Sequence, residues 1–139
     1  MFSAFASKAR AITVPLPPKD VEKYLRKAAP ALERLEKLRP LLASIDALQH
    51  VDGETLRKAA AELDATGRAL SAIEPPRKVS ETHELLAKAC ALGATAARAA
   101  AETAPENTQA WSAASAAAGA LMLIERARAD LGVTSKIGP

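Results

Sequence analysis

The sequence predicts an all-α protein, a four-helix bundle with up-down-up-down connectivity, and three observations carry that reading. Apolar residues recur every three or four positions from about residue 19 to residue 131, which is the period of amphipathic helices and not of strands. About a quarter of the residues are alanine, the strongest helix former. Turn and breaker residues cluster near 50–53, 74–76 and 105, which divides the pattern into four stretches joined by short connections.

Residues 1–18 read as an extended arm. Pro15, Pro17 and Pro18 remove backbone donors and favour a polyproline-like strap. The bundle then occupies residues 19–132, and residues 133–139 read as a flexible tail.

The first helical stretch runs from about Lys19 to Gln49. Val21, Leu25, Ala28, Leu32, Leu35, Leu38, Leu42, Ile45 and Leu48 form its apolar seam. Pro30 and Pro40 interrupt it, and an interior proline costs about 3 kcal/mol in an isolated helix. The stretch is therefore expected to be kinked or split, with Pro30 the better break because proline suits the first turn of a new helix.

Asp52 is placed to cap the second helix, with Glu54 complementing its dipole. Its stripe is Leu56, Ala59, Ala60, Leu63, Gly67, Leu70 and Ile73, and Glu74-Pro75-Pro76 ends it. The third helix opens near Ser80, a candidate cap, and reaches about Thr103 with Leu85, Leu86, Ala89, Leu92, Ala96 and Ala99 inward. The fourth starts around Pro105. It runs through Trp111, Ala114, Ala118, Leu121, Ile124 and Arg128 to Leu131, with Gly132 as its natural terminator.

The alanine runs of helices three and four predict that these two form the tightest antiparallel pair, joined by a short loop near 102–106. Gly93 and Gly119 read as their points of close approach.

Charge excludes several functions. The net charge is +3, with acidic and basic residues interleaved as in Glu33-Arg34 and Glu36-Lys37. Such interleaving marks a solvated face with (i, i+4) pairs, not a nucleic-acid surface, which needs a one-signed stripe or a stacking platform. The single cysteine, Cys90, excludes an internal disulfide. No run is long and apolar enough to span a membrane. The N-terminus carries no intact secretory signal, and the compartment, cytoplasm or bacterial envelope, stays open.

Candidate sites are few. His83 and Cys90 lie on nearly the same face of helix three but about 10 Å apart along its axis, too far for a shared proton or metal. The bland reading makes His83 a first-turn polar residue and Cys90 a small apolar one. Glu81-Thr82-His83 has the wrong spacing for a di-iron Glu-x-x-His pair, and there is no second copy. Trp111 is the one large aromatic of the helical body. It reads first as a plug at a bundle end, and second as a recognition residue if exposed beside Tyr24 or the arm. Arg126 and Arg128 suit the negative end of the last helix.

The segment LSAIEPPRKVSETHELLAKACALGATAARAA resembles uncharacterised bacterial helical-bundle proteins, many of them secreted or lipid-anchored. A Pro-Pro turn followed by a helix opening with His and two leucines carries the likeness, through Pro75, Pro76, His83, Leu85 and Leu86. It covers about 30 residues and implies a helical bundle without an assigned activity.

The function expected is a non-enzymatic interaction or structural module, an accessory subunit of a larger assembly. The alternative is a carrier with a small ligand or cofactor lodged between helices. A third reading is an enzyme built on His83 with a charged partner from a neighbouring helix. No catalytic, metal or cofactor-binding residue set is predicted. Trp111, Tyr24 and His83 are the candidate contact residues. A protein partner is expected, nucleic acid and a membrane span are not, and homo-oligomerisation stays open.

Overall fold

The computed structural model describes residues 19–102 and 108–132. Among them are four helices: α1 (Lys19–Asp46), α2 (Gly53–Ser71), α3 (Ser80–Ala101) and α4 (Thr108–Leu131), with a 3-10 turn at Arg77–Val79 leading into α3. The arm expected at 1–18, the loop expected near 102–106 apart from Glu102, and the tail expected at 133–139 lie outside the described residues.

Cross-helix neighbours fix the directions. Gly67 of α2 meets Cys90 of α3, Leu63 meets Gly93 and Gly53 meets Ala101, with Asp64 and Arg98 paired beside them. Later residues of one helix thus meet earlier residues of the other, and the pair is antiparallel. Gly119 meets Leu92, and Thr82 bonds Asp130, so α3 and α4 are antiparallel too. Arg39 and Glu36 of α1 join Glu125 and Arg128 of α4 in the same sense. Tyr24 and His83, both near helix starts, meet directly, so α1 and α3 are parallel. The result is the up-down-up-down bundle that the sequence predicts.

α3 sits at its centre. The α3–α4 contact is the most extensive, followed by α2–α3, and α1 packs more lightly against α4, α2 and α3. The core is leucine and alanine: Leu35, Leu42, Leu63, Leu70, Leu86 and Ile124 are fully buried, with alanines between them. Alanines supply closeness between helices more than buried area, and many weak dispersion contacts replace a few large ones.

Several local expectations are corrected. Of the two forms expected for α1, one long helix or a split at Pro30, the structure has the single helix, which continues through both Pro30 and Pro40. Both prolines are exposed, on the side of the helix turned away from the core. The opposite face, Tyr24, Ala28, Ala31, Leu35, Leu38, Leu42 and Ile45, is buried and holds the helix in one piece.

Its end falls at Asp46, not Gln49. Gln49 N–H donates to Ser44 O at 2.9 Å and Leu48 N–H to Ile45 O at 3.0 Å, the two bonds of a Schellman terminus. Leu48 stands at the left-handed position, φ 59°, where glycine is usual.

Asp52 caps α2 as expected, accepting from Thr55 N–H at 3.2 Å. Ser80 does not cap α3. The 3-10 turn runs straight into the helix, with Val79 N–H on Pro76 O and Ser80 N–H on Arg77 O.

The inward face of α4 is also shifted. Ala110, Ala113, Ala114, Ala117, Ala120, Ile124, Ala127 and Arg128 are buried, whereas Trp111 is exposed and Ala118 and Leu121 only half-buried. No charged residue occurs from Ala110 to Ile124, so no polar stripe orients the helix from sequence. Close approach to α3 selects the smallest side chains for the inside.

Gly93 likewise belongs to a different contact. A methyl group there would lie 3.1 Å from Leu63 Cδ1 and 3.6 Å from Leu42 Cδ2, so Gly93 admits α2 and α1, not α4. Gly119 does face α3, with Leu92 Cδ1 at 3.4 Å from such a methyl group.

Candidate functional site

Three constellations hold the unusual side chains of the described residues. The first joins the starts of α1 and α3. Tyr24 is 2% exposed and His83 9% exposed. Their rings meet edge to face with centroids 5.5 Å apart, and Tyr24 Oη lies 2.8 Å from His83 Nδ1. The phenol donates when the ring proton is on Nε2 and accepts when it is on Nδ1, so the bond forms with either tautomer. Burial pushes the Tyr24 hydroxyl up to about 12. At neutral pH the partner of His83 is thus an uncharged phenol, not the charged group that a His83-based enzyme would need.

Cys90 is buried a turn or two further along α3, and its thiol is pushed up to about 11 by burial and then by the charge of Asp64. That disfavours the thiolate, the reactive form. His83 and Cys90 remain separate features, as their spacing predicts.

The second constellation clamps α1 to α4. Arg128, on a helix face otherwise made of alanine and isoleucine, is only 8% exposed. Its Nε lies 2.8 Å from Glu36 Oε2, outside hydrogen-bond geometry, and its Nη1 donates to Glu125 Oε2 at 3.3 Å. Arg39 pairs with Glu36 at 3.2 Å and with Glu125. Two cations thus share two carboxylates, and Arg128 does more than oppose a helix dipole. The spacing of Ile124 and Arg128, four apart on the inward stripe, is the sequence signal of a charge that must be paired. An apolar groove of about 230 Å³, lined by Leu32, Leu35, Leu86 and Ile124, opens beside the clamp.

The third feature is the outward face of α4. Trp111 is 65% exposed and Met122 71% exposed. They are eleven residues apart, close to three full turns, so they stand on one face about 16 Å apart. Ser115 is exposed and Ala118 half-buried between them. Trp111 therefore does not plug the bundle, and it sits at the opposite end from Tyr24. In the sequence Met122 stands among Leu121, Leu123 and Ile124, where nothing positive supports a role for it as an axial metal ligand. Its exposure could not be read without the register of α4.

At that same end a second cavity of about 160 Å³, half open to solvent, lies among Ile45, Gln49, His50, Leu56, Ala101 and Ala110. Among the described residues no group of three or more His, Cys, Asp or Glu side chains is placed to hold a metal ion, and no helix is long and apolar enough to cross a membrane.

No family model matches the chain, and no curated protein or solved structure matches it.

Proposed function

We propose that the chain is a non-enzymatic interaction module that meets a protein partner through the outward face of α4. One observation carries this reading: the two large exposed apolar side chains, Trp111 and Met122, share a helix face that bears no charge from Ala110 to Ile124. Scattered exposed apolar residues need no explanation, whereas aligned ones on an uncharged helix mark contact surfaces. Trp and Met are also enriched where proteins touch. The Tyr24–His83 pair is satisfied internally and acts as a structural bolt between α1 and α3.

The test is site-specific photo-crosslinking in the source cells. A probe at position 111 is expected to give a discrete protein adduct, and a probe at the exposed Glu62 on α2 is expected to give none. Equal labelling from both positions, or none from position 111, would remove the reading.

The cavity at the end of the bundle, lined by polar as well as apolar residues, favours a second reading, a carrier of a small molecule. Its volume of about 160 Å³ is enough for a benzene-sized ligand. Titration with benzene-sized probes should then raise the melting temperature, and Leu56→Trp, which fills the space, should abolish the rise.

A further inference from the structure

We infer that the outward side of α1 docks an acidic helix of a protein partner along a row of six cations. This surface is separate from the α4 face and does not depend on it.

The charges of α1 interleave along the chain, but winding them onto the helix separates them. At about 100° per residue and relative to Lys23, Arg34 lies about 20° and Lys27 about 40° to one side. Lys19 and Lys37 lie about 40° to the other side, and Arg26 about 60°. Between residues 19 and 37 this sector holds one further position, Pro30. Six of its seven residues are thus cations, and all seven are exposed. The row is about 27 Å long at about 1.5 Å per residue.

The six make no ion pair among the described residues. The ion pairs of α1 go to Glu36 and Arg39, which face α4. Asp20 lies just beyond the Lys27 edge of the sector, and Glu22 and Glu33 just beyond the Arg26 edge. Like charges three and four residues apart on a helix repel. An anion laid along the row relieves that repulsion.

Width and spacing select the anion. On a helix about 10–12 Å in diameter the sector is about 10 Å wide, the breadth of one helix. A broad polyanion, such as a DNA duplex or a lipid surface, would also meet the bordering carboxylates, which lie within a Debye length of about 10 Å. Tyr24, the one aromatic residue of α1, is buried, so the row offers no stacking platform for single strands. It holds no apolar side chain larger than proline to enter a bilayer. A helix with carboxylates on alternating steps of three and four repeats in a straight line with the period of the row itself. A second copy does not supply one, since α2 carries three acidic residues and α3 and α4 two each.

Fluorescence anisotropy with the intact chain tests this. The probe is a labelled alanine-based peptide of about 24 residues with glutamates on alternating steps of three and four, checked for helicity by circular dichroism. It is expected to bind with a dissociation constant below about 1 mM, and at least about tenfold more weakly when salt rises from about 0.05 M to about 0.5 M. The double variant K27E/R34E should weaken binding at least about tenfold with circular dichroism unchanged. The variant K58E/K88E makes the same charge change at exposed positions of α2 and α3, and should stay within about twofold of the unaltered chain.

Four results would overturn the inference. They are no binding up to about 1 mM, equal binding of an equally helical peptide with its glutamates spread round the helix, equal loss in both double variants, or tighter binding of a DNA duplex or phosphatidylserine vesicles at the same salt. The reading of α4 fails by a different result, the lack of an adduct from position 111.

Discussion

At the residue scale the Tyr24–His83 contact is the most telling. Removing the hydroxyl in Tyr24→Phe leaves a buried ring nitrogen unpartnered, and the expected cost is about 1–2 kcal/mol, read from chemical denaturation. The two pushed-up groups also set an alkaline limit. Both are neutral when protonated, and burial favours that form. Tyr24, raised from 10.0 to about 12, contributes fully below pH 10 and loses its contribution as pH climbs through 12. Cys90, raised from 9.0 to about 11, does the same between pH 9 and 11. Stability is therefore expected to fall above pH 9 on account of these two groups. The combined variant Y24F/C90A should flatten that fall. Because the chain has one tyrosine, its absorbance titration reports Tyr24 alone. Tyr24 and His83 were each legible as noteworthy residues. Their pairing was not, because it joins positions 59 apart and depends on which helices are neighbours.

At the element scale, legibility followed amphipathicity. The second stretch, with clear apolar and charged faces, yields its cap at Asp52 and its stripe from sequence, with Thr66 in place of the half-buried Gly67. α4 yields its extent but not its rotation, because alanine is acceptable both inside and outside. α1 shows the opposite case, in which a strong local breaker signal at Pro30 is overruled by the buried face behind it. Pro30→Ala restores a backbone bond on an exposed surface, and is expected to stabilise the protein by about 1–2 kcal/mol, seen as a higher melting temperature. Gly119→Ala should stabilise by about 0.5–1 kcal/mol, since its methyl group meets Leu92 at 3.4 Å, ordinary van der Waals contact. Gly93→Leu should be severely destabilising because Leu63 and Leu42 already fill that space.

For the whole molecule, α2, α3 and α4 form the closely packed part, and α1 is fastened to it by side chains: the Tyr24 ring at one end and the arginine–glutamate clamp along its length. Glu36→Ala leaves the buried Arg128 short of a carboxylate, with an expected loss of about 1–3 kcal/mol. Asp64→Ala breaks the Arg98 pair, which is exposed on both sides, and is expected to cost less than about 1 kcal/mol. Paired denaturation curves decide between these magnitudes.

Because α1 shares the least surface with its neighbours, it should be the first part of the molecule to breathe. Its amide protons are expected to exchange with deuterated solvent ahead of those in α3, while the other three helices stay closed. A helix that peels away in this manner would uncover Leu86 and Ile124 for an instant. The fasteners along α1 thereby govern how often the leucine interior meets water.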